Sequence, residues 1–76
     1  MIYRVKHYEE TYNPIRDESY VDVDVILKFQ TEELAEQYIS SCIEKHEQLY
    51  EGHFTEGNTT YIDDPNDYIA FTRLWK

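Results

Sequence analysis

The segment between Thr31 and Gly52 constrains the fold most, because it carries the clearest periodicity in the chain. Mostly apolar side chains recur there at intervals of three and four residues, which is typical of the buried face of an amphipathic helix. These side chains are Leu34, Ala35, Tyr38, Ile39, Cys42, Ile43, His46, Leu49 and Tyr50. Thr31 suits the N-cap, and Gly52 suits the end of the helix. The sequence therefore predicts one amphipathic helix between these two residues.

Strand-type segments lie on both sides of this helix. They are rich in β-branched and aromatic residues, and turn-forming residues separate them. The predicted strands are residues 1–8, 20–29, 58–62 and 68–75. Asn13-Pro14 marks the first turn, and the sequence DDPND at 63–67 marks the second. The order ββαββ predicts an α+β fold, in which a small antiparallel sheet carries one amphipathic helix on one face.

The aspartates of YVDVDVILKF, residues 20–29, are candidates for a metal site. If the first hairpin is centred near Pro14, the numbers of opposed residues add up to about 28. The expected pairs are then Val5–Val23, Tyr3–Val25, Arg4–Asp24 and Lys6–Asp22. In this register apolar residues lie opposite apolar ones and each aspartate lies opposite a basic residue, so cross-strand pairing accounts for the presence of both aspartates. We therefore expect Asp22 and Asp24 to form ion pairs on an exposed strand face and to bind no metal.

One set of residues has the chemistry of an enzyme. Cys42 and His46 lie four residues apart on the predicted helix, and His7 joins them if it projects from the core face of the first strand. A thiol with two imidazoles is a potential zinc site or nucleophile pair. Buried cysteine is far more often a small hydrophobic residue, and the chain has one cysteine and no spacing motif. We expect no catalytic residue, cofactor or metal, and a metal- or thiol-dependent enzyme is the less favoured alternative.

Composition excludes several classes of partner. Sixteen acidic and seven basic residues give a net charge of −9, which disfavours direct binding to nucleic acid or to an anionic membrane. No apolar run approaches the roughly 18 residues that cross a bilayer. One cysteine excludes an internal disulfide, and residues 1–10 lack the apolar region of a signal peptide. We expect residues 1–76 to form a single cytosolic domain.

The acidic residues are concentrated on the predicted helix and in the turns. Residues 32–51 hold six glutamates and one lysine, and the second turn adds three aspartates. Like charges at helical spacing repel each other by a few tenths of a kcal/mol, so this face is not optimised for the stability of the helix. The pattern predicts a partner-binding surface. Its residues are Glu32, Glu33, Glu36, Glu44, Glu47, Glu51, Asp63, Asp64 and Asp67.

These charges favour a non-catalytic, acidic protein-binding module. We expect the acidic helix face to dock on a basic surface of a partner protein, for example a nucleic-acid-binding groove, and to inhibit or regulate that partner. A helix that is merely solvated explains the same charges. In compactness and acidity the chain is similar to the short accessory proteins that bacteriophages encode to block host enzymes, a resemblance of composition that covers no motif.

A structural homo-oligomer is the alternative function. Ile2, Tyr8, Tyr20 and Ile26 are expected on the sheet face without the helix, where they form an apolar patch. Such a face, or an edge strand of the sheet, is suited to pairing with a second copy of the chain.

Overall fold

A computed structural model of the protein describes residues 1–47, 52–64 and 67–76, except the side chain of Glu47. The elements are β1 (Tyr3–Asn13), β2 (Glu18–Phe29), α1 (Glu32–Glu47), β3 (His53–Glu56), β4 (Thr59–Ile62) and β5 (Tyr68–Arg73). The strands form one antiparallel sheet of order β2-β1-β5-β4-β3, and α1 packs on one face. The predicted fold class is confirmed, and β3 is a strand that the sequence did not predict.

The helix begins where the sequence predicts. The backbone N–H of Leu34 donates to the hydroxyl of Thr31 at 3.1 Å, so Thr31 is the N-cap. The predicted continuation to Leu49 and Tyr50 lies outside the described residues. One position differs from the periodicity: Leu34, expected on the buried face, is 47% exposed.

The hydrophobic core lies between α1 and the sheet. It consists of Val5, Ala35, Ile39, Ile43, Ile62, Ile69 and Phe71. Phe71 is fully buried at the centre of β5, so the middle strand of the sheet supplies the largest side chain of the core. Tyr3, Phe29, Tyr38, Cys42 and Trp75 pack around this cluster and are partly exposed. No helix among the described residues is long and apolar enough to cross a bilayer.

The register of the first hairpin differs from the predicted one. Tyr3 pairs with Phe29, Val5 with Leu27, Arg4 with Lys28 and Lys6 with Ile26. The predicted pairs Tyr3–Val25, Val5–Val23, Arg4–Asp24 and Lys6–Asp22 are therefore wrong. Asp24 lies opposite Tyr8, and Asp22 accepts a hydrogen bond from the hydroxyl of Thr11.

Two local features cause this difference. The strands join at the pair Asn13–Glu18, so the turn is centred beyond Pro14. Asn13 Oδ1 accepts the backbone N–H of Ile15 at 3.0 Å, and Asp17 has a φ of 52°, both of which are typical of turn residues. In addition, a β-bulge leaves one residue of β2 without an opposed partner, and the register shifts there.

Candidate functional site

The exposed face of α1 carries part of the predicted partner-binding surface. Glu32, Glu33 and Glu44 are exposed on it. A shallow concavity of about 580 Å³ follows this face. Its lining residues are Glu33, Glu36, Gln37, Ser40, Ser41 and Glu44. The side chain of Glu47 and the whole of Glu51 lie outside the described residues.

Glu36 differs from the other helix glutamates because it is bound within the protein. Arg73 of β5 donates to both of its carboxylate oxygens, with Nε at 2.6 Å and Nη2 at 2.8 Å. The guanidinium also donates from Nη1 to Thr60 Oγ1 at 2.9 Å, and Arg73 is only 9% exposed. These hydrogen bonds from Arg73 lower the pKa of the Glu36 carboxyl below its usual value. Glu36 therefore ties α1 to the sheet.

The aspartates of the second turn lie at a different place from the helix face. Asp67 immediately precedes β5, and its Oδ1 accepts the backbone N–H of Tyr12 at 3.3 Å. Arg73, which binds Glu36 of the helix, lies six residues after Asp67 in the chain. Six residues of extended strand span about 20 Å, so Asp67 and Arg73 are about that far apart. Asp63 is exposed, and Asp64 is partly exposed. The predicted residues thus form two acidic surfaces, one on α1 and one at the second turn.

A row of aromatic rings crosses the sheet face opposite α1, which we call the free face. Neighbouring rings are close: the centroid distances are 5.8 Å for Tyr8–Tyr68, 5.8 Å for Tyr68–Tyr61 and 5.2 Å for Tyr61–Phe54. The row exists because Tyr61 lies opposite both Phe54 and Ala70, and Tyr8 also lies opposite Ala70. The sequence did not predict this row, since Phe54 belongs to the unexpected strand and the register of the second hairpin was open.

At one end of this row the rings meet the acidic turn. Phe54, Tyr61 and Tyr68 line a concavity of about 270 Å³ together with Asp63, Asp64 and Asp67. We call these six residues the aromatic–acidic pocket. It lies where the β4–β5 ladder ends, after the pair Tyr61–Ala70. Aromatic faces beside carboxylates provide two kinds of attraction for a cation.

The enzyme hypothesis concerned Cys42, His46 and His7, and the structure places two of these around Glu9. His7 Nε2 lies 2.9 Å from Glu9 Oε2, and His46 Nε2 lies 3.6 Å from Glu9 Oε1. His7 Nδ1 and the Tyr38 hydroxyl share a hydrogen bond of 2.7 Å. Burial lowers the pKa of His7, and Glu9 opposes this shift. The cluster joins β1 to α1, and no sequence pattern indicated Glu9 as one of its members.

The electrostatics of Cys42 differ from those of a nucleophile. Burial raises the pKa of its thiol, and a hydrogen bond with Tyr38 offsets only part of that effect. Burial, together with Cys42 and Glu9, raises the pKa of Tyr38 to about 12. Nucleophilic cysteines have a lowered pKa, so these surroundings favour an unreactive thiol. Within residues 1–47, 52–64 and 67–76, no three His, Cys, Asp or Glu side chains are grouped as metal ligands.

Comparison with known proteins adds no relative. No protein-family model, curated protein or solved structure matches this chain.

Proposed function

We propose that the protein is a non-catalytic binding module that docks its acidic helix face on a basic surface of a partner protein, as an inhibitor or regulator. The observation that carries the proposal is the set of exposed glutamates on α1, namely Glu32, Glu33 and Glu44, of which Glu33 and Glu44 line the concavity. Arg73 already binds Glu36. Of the helix glutamates whose side chains the structure describes, the other three are therefore the ones available to a cation of the partner. Spaced carboxylates on a helix suit the spaced cations of a basic groove.

The charge of the whole chain supports the same function. A net charge of −9 attracts basic surfaces and speeds encounter with them. We place the protein in the cytosol, because its one cysteine is unpaired, and extracellular domains of this size are commonly held by disulfides.

A capture experiment with matched variants tests this proposal. The immobilised protein is incubated with cell lysate at about 0.1 M salt, where the Debye length is about 10 Å, and at about 1 M, where it is about 3 Å. We expect basic proteins to be captured at low salt and released at high salt. The double variant Glu33→Gln/Glu44→Gln should lose the capture, whereas Glu18→Gln/Asp24→Asn, which changes the net charge equally at other exposed sites, should retain it. Capture that is indifferent to salt contradicts electrostatic docking, as does equal loss in both variants.

A homo-oligomer is the second candidate function, and the edge strand β2 favours it. β2 has 12 residues, lies at the end of the sheet, and exposes Val21, Val25 and Ile26 by 56%, 43% and 55%. Such an edge offers unpaired backbone groups to a second copy. Tyr8 and Ile26 lie on the free face as expected, but Tyr20 lies opposite Thr11, on the face that carries His7.

Multi-angle light scattering tests the oligomer. If the candidate is correct, the mass should double at high concentration, and Val25→Lys should restore the monomer because a charge on the edge opposes strand pairing. A constant monomer mass over the whole concentration range excludes it.

A further inference from the structure

The aromatic–acidic pocket has exposed rings that the fold does not need for its core. Phe54 and Tyr68 are 50% and 48% exposed, and both lie on the free face, away from the cluster around Phe71. Phe54 and Tyr61 are stacked with their planes 25° apart, whereas Tyr68 is inclined at 64° to Tyr61. The rings therefore present differently oriented faces at the same concavity.

All charged residues that line the pocket are acidic. Asp63, Asp64 and Asp67 line it beside the rings, and Glu56 also contributes. Among the residues that the structure describes, these carboxylates are not grouped as metal ligands, so a single metal ion does not suit them. A polyatomic cation that spans rings and carboxylates together does.

We propose that the aromatic–acidic pocket binds an arginine side chain of the partner protein. This inference rests on the proposed function, because it assigns to the basic partner a second contact, away from the acidic helix. A guanidinium is planar, stacks on aromatic faces, and donates paired hydrogen bonds to carboxylates, whereas an ammonium has neither the plane nor the fork. The volume of about 270 Å³ is below the range of about 300–1,000 Å³ that is typical of small-molecule sites, and it suits one side chain.

The pocket and the acidic helix face are two separate contacts. The rings of the pocket lie on the free face, whereas the exposed side of α1 points away from the other face of the sheet. A partner that makes both contacts must therefore reach around the end of the sheet, and each contact is tested on its own.

Peptide titration followed by NMR tests the inference on the whole protein. The probes are blocked tripeptides Gly-Arg-Gly, Gly-Lys-Gly and Gly-citrulline-Gly, of which the last keeps the shape of arginine without its charge. We expect the arginine peptide to shift the amides of residues 53–64 and 67–70 in a saturable way, and to bind at least about three-fold more tightly than the other two. Equal binding of citrulline removes the role of charge, and equal binding of lysine removes the preference for arginine. Shifts spread evenly over α1 and the second turn also overturn the inference.

Matched variants show whether the ring or the hydroxyl of Tyr68 contributes to binding of the arginine peptide, and whether the charge in the pocket or the net charge of the protein does. Tyr68→Leu should weaken the arginine peptide by about two- to five-fold, the range of one exposed cation–π contact, and Tyr68→Phe should bind as the wild type does. Asp63→Asn should weaken it similarly. The controls Tyr20→Leu and Asp24→Asn should leave binding unchanged, since these exposed residues do not line the pocket. Unaltered binding by Tyr68→Leu, with its thermal melt preserved, overturns the inference.

The outcomes also separate this inference from the proposed function. If the peptide leaves the pocket unshifted while lysate capture still depends on Glu33 and Glu44, the pocket inference fails and docking through the helix stands. If the peptide binds in the pocket while capture ignores these glutamates, docking through the helix fails and the pocket stands.

Discussion

Replacing Glu36 by glutamine is the most direct test of how the helix is held on the sheet. The substitution keeps the size of the side chain and one acceptor oxygen, but it removes the negative charge beside Arg73. The guanidinium then loses its only described carboxylate partner while it stays 9% exposed. An ion that is buried without a counterion is unfavourable, so we expect the folded state to be destabilised.

The size of the effect follows from the geometry. Hydrogen bonds to charged groups contribute about 1.5–3 kcal/mol, and removing one partner of a fully buried ion pair costs about 3–5 kcal/mol. The Glu36 side chain is 38% exposed, so water screens the pair and reduces the second figure. We therefore expect Glu36→Gln to lower the free energy of unfolding by about 1–3 kcal/mol at neutral pH.

Urea denaturation at several pH values measures this cost. Glu33→Gln is the control, because it removes the same charge from an exposed position on the same helix. Arg73 lowers the pKa of folded Glu36 below its ordinary value of 4.5, so the pair stabilises the protein fully above that value and less as the pH falls through the folded pKa. The difference between wild type and Glu36→Gln should shrink accordingly in acid. Equal free energies of unfolding for Glu36→Gln and the control Glu33→Gln at neutral pH would refute the reasoning.

Three further predictions concern the core and the helix. Thr31→Ala removes the N-cap and should lower the free energy of unfolding by about 0.5–2 kcal/mol, with Thr31→Ser as the retained-cap control in the same urea experiment. Phe71→Ala should lower the free energy of unfolding by about 3–5 kcal/mol, because it empties the centre of the core. The exposed Phe54→Ala should lower it much less, and thermal melts of the two variants measure the difference. Cys42 should react slowly with a thiol reagent at pH 7 in the folded state and rapidly in urea, since burial raises its pKa; equal rates in both states would contradict this.

The helix was predictable because several local signals agree on it. Its apolar spacing, the cap at Thr31 and the burial of Ala35, Ile39 and Ile43 all follow from side chains within one segment. The register of the first hairpin was not predictable in the same way. In the sequence VDVDV the alternation looks unbroken, but the bulge sets Val23 opposite Glu9 and Val21 opposite Glu10, which lie on opposite faces.

The candidate sites show the same contrast. The acidity of the helix face could be predicted from the glutamates within the helical segment, although the ion pair of Glu36 could not, since Arg73 lies 37 residues away in sequence. The aromatic–acidic pocket depends on the order of three strands. His53–Glu56 is a short strand with every residue exposed, so its sequence lacks the apolar–polar alternation by which a half-buried strand is predicted. If this strand is not predicted, Phe54 cannot be placed in the sheet.

The long first hairpin has a practical consequence for engineering the protein. β5 accompanies β1 only from Val5 to Glu10, whereas β1 and β2 stay paired as far as Asn13 and Glu18, so the tip extends past the sheet. Ile15 at that tip is 94% exposed. Loop tips of this kind tolerate inserted sequence. A fluorophore or an affinity tag placed between Pro14 and Arg16 would thus report on complexes from a position outside the helix and outside the residues that line the pocket.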